Sequence, residues 1–149
     1  MANRNVAPGA NYAPAYQISG IPFVTSSNGL ELSSTTIPTR VKFPTATRWI
    51  EVGVLGEGAL NLGFSVAGVL GEGGSVSGSL SERSADHNNF LVVSGSGNTT
   101  RLELRCKEVF FLRSPASPAV GFTLVAGLTG IPAGSFPELS GSDGLVGVG

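Results

Sequence analysis

The feature of this chain that most constrains its fold is a long stretch without proline, from Thr45 to Ser114. All nine prolines lie outside it, in the segments up to Pro44 and from Pro115 onward. Proline has no N–H to donate to a β-ladder, so sheet proteins keep it at edges, turns and arms. Within the stretch, apolar residues alternate with polar or small ones, and glycine-rich breaks separate the runs. The pattern predicts an antiparallel β-sandwich or barrel.

The alternating runs predict about eight strands at the spacing typical of sandwiches and jelly rolls. The clearest run places every second residue from Leu60 to Val66 on one face. Pro22 predicts an edge or bulge in the first strand, and Asn28-Gly29 predicts a tight turn. No segment shows helical periodicity. The predicted strands are 17–25, 39–43, 47–55, 60–67, 75–80, 89–94, 100–112 and 120–128.

The chain length of 149 residues fits a single domain. Residues 1–15, which contain Pro8 and Pro14, are predicted to form an extended N-terminal arm. The β domain is expected to span 16–130, and the Gly/Pro-rich segment 131–149 is predicted to form a C-terminal arm.

The chain carries few charges for its size, which bears on what covers its surface. Charged residues make up 13% of the sequence, about half of the ~25% in a typical domain. Neutral surfaces of this extent are often covered by neighbouring subunits. We therefore expect subunit packing, and the alternative is a Gly/Ser/Thr-faced domain that is weakly charged.

The distribution of charge argues against a nucleic-acid partner. The net charge is −1, whereas a nucleic-acid binder normally has a basic excess or a clustered basic stripe. Arg101, Arg105 and Lys107 do cluster, but Glu103 and Glu108 are interleaved with them. This segment is predicted to be a solvated strand face.

The single cysteine, Cys106, excludes an internal disulfide. It lies in phase with Leu102 and Leu104, so we predict a small buried apolar residue rather than a reactive thiol. A chain without disulfides fits assembly in a reducing compartment. No apolar run approaches the ~18 residues of a membrane span. The N-terminus lacks a hydrophobic signal core, so secretion by that route is not expected.

A hexapeptide occurs twice in the chain, as Gly53-Val-Leu-Gly-Glu-Gly58 and again as Gly68-Val-Leu-Gly-Glu-Gly73. Two copies do not make a solenoid, which needs three or more repeats of longer period. The pattern predicts two similar glycine-rich turns on either side of the strand at 60–67, with a ligand loop as the alternative.

No motif predicts catalysis or a metal. With one histidine and one cysteine, the soft-ligand metal sites are not available. His87 adjoins Asp86, and adjacent side chains on a strand point apart, so the pair is a poor dyad. Residues 84–89 are predicted to form a polar loop instead. The glycine-rich segments 71–74 and 95–98 lack the Gly-Lys-Ser/Thr that a phosphate loop requires.

Two weaker signals lead to the same conclusion. Asn98-Thr99-Thr100 fits the N-glycosylation pattern, but we predict that it is unused in the absence of a secretion signal. Ten acidic residues leave a glycosidase carboxylate pair open, although Trp49 is the single tryptophan and no aromatic platform for sugars is evident. We assign no catalytic, cofactor-binding or metal-binding residue, and expect neither an enzyme nor a small-molecule substrate.

Six short segments, by their order and spacing, resemble the single jelly-roll penton proteins of nucleocytoplasmic large DNA viruses, such as algal viruses and iridoviruses. The resemblance covers 20–142, which is most of the chain. The segments are Ile21-Pro-Phe-Val-Thr-Ser-Ser27, Phe43-Pro-Thr-Ala-Thr-Arg48, Asn89-Phe90, Lys107-Glu-Val-Phe-Phe111, Ala126-Gly-Leu-Thr129 and Leu139-Ser-Gly-Ser142.

The resemblance implies an all-β, eight-stranded antiparallel single jelly roll, five copies of which close each icosahedral vertex. It implies a location in the virion, at the capsid vertex, after assembly in the host cytoplasm. The partners implied are other copies of this chain and the neighbouring major and minor capsid proteins. Some relatives carry extra domains for which this chain has no room, so a vertex fibre or spike would require another protein.

The contact regions expected from this role are the glycine-rich turns and both terminal arms, with 48–51 and 101–107 supplying charged pairs at the rim. Exposed pairs of this kind contribute only ~0–1 kcal/mol each.

A second hypothesis is a ligand- or carbohydrate-binding jelly-roll module, trimeric, whose only candidate loop holds Asp86, His87, Asn88 and Asn89. A third is an enzyme on a cupin-like barrel, against which the single histidine argues, because cupins hold their metal with several. Five-fold rather than three-fold assembly follows from the resemblance alone.

Overall fold

Eight antiparallel strands make up almost all of the regular structure in the computed structural model, which describes residues 20–27, 32–70, 89–95 and 97–136. The strands confirm the all-β class expected from the alternating sequence. They are β1 (Ile21–Ser26), β2 (Thr39–Lys42), β3 (Thr45–Leu55), β4 (Ala59–Gly63), β5 (Phe90–Ser94), β6 (Thr99–Leu102), β7 (Glu108–Arg113) and β8 (Gly121–Pro132).

The pairing of these strands is that of a long antiparallel hairpin rolled up on itself. β1 pairs with β8, β2 with β7, β3 with β6, and β4 with β5. Rolling then brings β8 beside β3 and β7 beside β4. Sheet 1 has the order β1-β8-β3-β6, and sheet 2 has the order β2-β7-β4-β5. This is the jelly-roll arrangement of two sheets, and it confirms the predicted fold class.

The core lies between the two sheets and is built by the alternation read from the sequence. Sheet 1 directs Ile50, Val52 and Val54 inward, and all three are buried. From β7 and β8, Phe111 and Phe122 pack with ring centroids 4.4 Å apart, which joins the two layers. Because buried aromatic and branched side chains dominate this layer, hydrophobic burial is the main force holding the sheets together.

The ring contacts also show how the two sheets are aligned. Phe23 on β1 packs edge-on against Phe43, just after β2, with centroids 5.1 Å apart. β1 therefore lies over β2, as β8 lies over β7. Because the strand orders of the two sheets are then in line, β1 and β2 lie at one side of the sandwich and β5 and β6 lie at the other. The edge position predicted for Pro22 is confirmed.

One predicted strand is half wrong. The run 60–67 is a strand only to Gly63, and a short helix, α1 (Val66–Leu70), follows it. Ser65 caps this helix, since its Oγ accepts the Gly68 N–H at 2.9 Å. Val69 then packs on the outer face of sheet 2, away from the main core. The expectation that helical structure is absent is therefore corrected, and Val66 is exposed rather than in line with Leu62.

The predicted strand 100–112 is divided between the two sheets. β6 ends at Leu102 in sheet 1, and β7 begins at Glu108 in sheet 2. The inward alternation continues through Cys106, which is buried as predicted. Thr47 fixes the crossing, because its hydroxyl donates to the Leu104 carbonyl (3.1 Å) and accepts the Cys106 N–H (3.0 Å).

The repeated hexapeptide does not form two similar turns. In the first copy, Gly53 to Leu55 complete β3 and the turn begins at Gly56, whose φ of +105° favours glycine. In the second copy, Gly68 to Leu70 are helical. Residues 71–73, which end the second copy, lie outside the described residues.

Several predictions fall wholly or partly on undescribed residues: the strand 75–80, the turn at Asn28-Gly29, the arm 1–15 and the segment 137–149.

The last strand is longer than predicted, since β8 runs to Pro132, beyond its predicted end at Leu128. A 3₁₀ turn follows at Ala133–Ser135. The first residues assigned to the C-terminal arm therefore belong to regular structure.

Candidate interaction surfaces

Among the described residues, two of the four edge strands carry no charged residue, and both expose aliphatic side chains. On β1, Ile21 is 55% exposed and Val24 is 67% exposed. On β5, Leu91 and Val92 are 41% and 53% exposed. An uncharged edge with exposed aliphatic residues is a template for association, and soluble monomers normally protect such edges with charge. We call these surfaces the β1 edge and the β5 edge.

The β1 edge and the β5 edge lie at opposite sides of the sandwich and belong to different sheets. β1 is the outer strand of sheet 1, and β5 is the outer strand of sheet 2. The Asn98 N–H donates to the Gly95 carbonyl at 3.4 Å, and β5 lies beside β6 on the side away from β1 and β2. One subunit therefore presents two distinct apolar edges.

The other two edge strands are charged. β6 exposes Arg101, whose guanidinium pairs with Glu103 and lies 4.4 Å from the centroid of the Trp49 ring. Both partners of the ion pair are at least half exposed, so it contributes ~0–1 kcal/mol. The guanidinium occupies one face of the single tryptophan and competes with any ligand that would stack there.

β2 borders an open cleft of about 220 Å³. Arg40 donates from Nε to the Glu108 carboxylate at 2.7 Å, and its guanidinium also lies 5.6 Å from the centroid of the Phe110 ring. Glu108 is almost fully buried, so solvent and salt screen the attraction in this ion pair less than that between Arg101 and Glu103. The sequence gave no sign of a cleft, because the wall opposite β2 comes from β7 and the 3₁₀ turn, which are distant along the chain. Its lining residues are Arg40, Lys42, Phe43, Lys107, Glu108, Ala133 and Gly134.

The glycine-rich turn between β3 and β4 was predicted to be a contact region. Glu57 at its tip is exposed. Gly58 is buried against the loop before β8, where a Cβ would overlap Val120. Ser117 in that loop accepts the Ala59 N–H at 3.0 Å. Part of the turn therefore serves internal packing, and only its tip is available to a partner.

The single cysteine is in a poor environment for a nucleophile. Burial raises the pKa of the Cys106 thiol to about 11, and the nearby Glu108 charge acts in the same direction, against the hydrogen bond with Thr47. A protonated buried thiol is a poor nucleophile and a poor metal ligand. Within 20–27, 32–70, 89–95 and 97–136, no group of three or more metal-ligating side chains converges. No helix in these ranges is long and apolar enough to cross a membrane.

The loop proposed for ligand binding lies almost entirely outside the described residues. Asp86, His87 and Asn88 are not described, and Asn89 directly precedes β5. Sequence reasoning missed the importance of the β1 and β5 edges. Their lack of charge is visible in the sequence, and Pro22 predicts an edge or bulge for β1, but no sequence signal places β5 at the opposite edge of the other sheet.

Comparison with known proteins gives no relative: no protein-family model, curated protein or solved structure matches this chain significantly.

Proposed function

We propose that this chain is a structural capsid subunit, five copies of which form the penton at the vertices of an icosahedral large DNA virus. The observation that carries the proposal is the jelly roll with two uncharged aliphatic edges on opposite sides. A ring needs two different surfaces on each subunit that fit one another, because cyclic contacts other than dimers are heterologous. The β1 edge and the β5 edge have this placement.

The chemistry of the surface supports the same role. Interface cores are depleted of charged residues. In this chain, charged residues make up only 13% of the sequence. A monomer with two such edges exposes an association hazard on each side. Burial of both edges against neighbouring subunits removes this hazard, and the same apolar contacts then stabilise the assembly.

The copy number and the viral setting come from the resemblance of segments between Ile21 and Ser142 to single jelly-roll pentons. In that setting the chain contacts other copies of itself and the surrounding major and minor capsid proteins. The location is the capsid vertex of the virion, and assembly takes place in the host cytoplasm.

The test is electron microscopy of icosahedral virus particles from host cells in which this chain is made, with the five-fold vertices resolved. We expect density for the jelly roll in five copies around each vertex. A chain that is absent from the particles, or that occupies three-fold positions in them, refutes the proposal. In that case the trimeric ligand-binding module becomes the leading hypothesis.

A further inference from the structure

We propose that neighbouring copies of this chain meet through one heterologous contact, in which the β1 edge of one copy packs against the β5 edge of the next. The inference rests on the proposed function, since it names the surfaces by which the capsid ring closes. The occupant of each edge is a second copy of this chain.

Among the described residues, no strand pairs with the outer side of β1 or of β5, so the outward backbone N–H groups of both edges have no ladder partner there. Ser27 donates its N–H to the Phe122 carbonyl at 2.8 Å, toward β8. N–H direction alternates along a strand, so the Val24 N–H points away from β8. On the other side, the Gly95 N–H points to Gly58 on the β4 side, and the same alternation turns the Val92 N–H outward.

Val24 and Val92 therefore combine an outward N–H with the most exposed aliphatic side chain of their strand. Pro22 removes one outward donor near the start of β1, so contact along this edge is favoured toward its second half. Burial of these aliphatic side chains against a neighbour stabilises an interface through the hydrophobic effect. Both edges gain most from the same kind of partner, an uncharged strand.

A heterologous contact explains both edges with a single interface. If two β1 edges met each other, the β5 edges would stay exposed, and the reverse holds for a β5 pair. In a closed ring, a contact of β1 with β5 covers the β1 edge and the β5 edge of every subunit. The charged edges, β2 with Arg40 and Lys42 and β6 with Arg101, then remain outside the contact.

Cysteine cross-linking tests the contact directly. The double variant Val24→Cys/Val92→Cys is purified at full length, concentrated until native mass spectrometry detects oligomers, and treated with a short bis-maleimide. Cys106 stays in place because it is buried and protonated at neutral pH. The reaction is quenched before denaturation, and the unmodified chain is treated in parallel.

We expect a ladder of covalent oligomers that ends at a closed pentamer. The yield should exceed that of the control pair Lys42→Cys/Thr99→Cys, on the charged edges, by at least about ten-fold, because thiols held in a contact have millimolar effective concentration. Neither Val24→Cys alone nor Val92→Cys alone should give a product. Dimers from a single variant would mean a symmetric contact and would overturn the inference.

The remaining outcomes separate this inference from the proposed function. A ladder that ends at three keeps the contact and overturns five-fold assembly. Particles with five copies at each vertex but no product from the double variant keep the capsid role and overturn the contact. A product from Val24→Cys/Thr99→Cys instead would assign the contact to β6 and overturn the inference. A chain that stays monomeric at all concentrations and gives no cross-linked product also overturns the inference.

Charges introduced on the two edges give a second, independent test of the contact. Val24→Lys and Val92→Glu should each weaken assembly, because each places an unpaired charge in an apolar contact. The double variant should recover much of the lost affinity, since the heterologous contact places the two new charges together. Equal loss in the double and single variants, with all three chains folded by circular dichroism, contradicts the contact.

Discussion

Replacement of Thr47 by valine removes one hydroxyl at the point where the chain crosses from sheet 1 to sheet 2. Thr47 is fully buried, and its Oγ1 accepts the Cys106 N–H at 3.0 Å while it donates to the Leu104 carbonyl at 3.1 Å. Valine has nearly the same shape, so the change leaves no large cavity. What it removes is the partner of a buried N–H.

The expected magnitude follows from these contacts. A buried donor left without a partner costs about 1–3 kcal/mol. The Cys106 carbonyl keeps a partner, because the Thr47 backbone N–H donates to it at 3.0 Å. The Cys106 N–H, the Leu104 carbonyl and the Cys106 Sγ lose their bonds to the Thr47 hydroxyl. We therefore expect Thr47→Val to lower the free energy of unfolding by about 2 kcal/mol, a large part of the 5–15 kcal/mol typical of a domain.

Urea denaturation followed by the fluorescence of Trp49, the single tryptophan, measures this change. With a urea m-value of about 2 kcal/mol per M, the midpoint should fall by about 1 M. Circular dichroism should give the same midpoint if unfolding is two-state. Thr123→Val is the matched control, since Thr123 is half-buried on β8, and it should change stability by less than about 0.5 kcal/mol.

The conservative variant Thr47→Ser separates the hydrogen bonds from packing. It keeps the hydroxyl and loses one methyl group, for which the expected cost is about 1 kcal/mol. Thr47→Val should therefore be less stable than Thr47→Ser. The opposite order, or a valine variant as stable as the unmodified chain, would refute the view that this hydroxyl holds the crossing together.

Two further predictions concern a buried thiol and a close contact. The Cys106 thiol ionises near pH 9.0 when exposed and at about 11 when folded, so the folded state holds the proton more tightly. Its stabilising effect is complete below pH 9 and is lost at ~1.4 kcal/mol per pH unit up to pH 11. Between pH 9 and pH 11, the free energy of unfolding measured by denaturation should therefore fall less steeply with pH for Cys106→Ala than for the unmodified chain. Equal slopes for the two chains would contradict the prediction. Gly63→Ala would place a Cβ 3.0 Å from the Val69 Cβ and 3.3 Å from its backbone N and Cα, so α1 must shift, at a cost of about 1–3 kcal/mol. Thermal unfolding should show this loss, whereas Gly134→Ala, in open space, should be near neutral.

Much of the fold could be predicted from local pattern. The period-two alternation through Ile50, Val52 and Val54 identified β3 and its buried face, and Pro22 marked an edge strand. Both signals are local, because side-chain direction alternates along any strand and a missing N–H is tolerated only where no ladder bond is needed. The candidate surfaces were predictable only as a general shortage of charge.

By itself, the sequence determined the all-β class, the inward faces of most strands and the burial of Cys106. Tertiary structure decided what a local pattern does not encode. The hexapeptide repeat shows this most clearly: Val54 pairs with Phe122 in sheet 1, whereas Val69, in the same sequence, is helical and packs against Phe110 and Leu112. The same apolar residues can bury themselves in either conformation, and the available surface selects between them. Likewise, only the rolling of the hairpin makes β5 an edge and sets it on the side opposite β1, because a strand's position in a sheet depends on which distant strands pair with it.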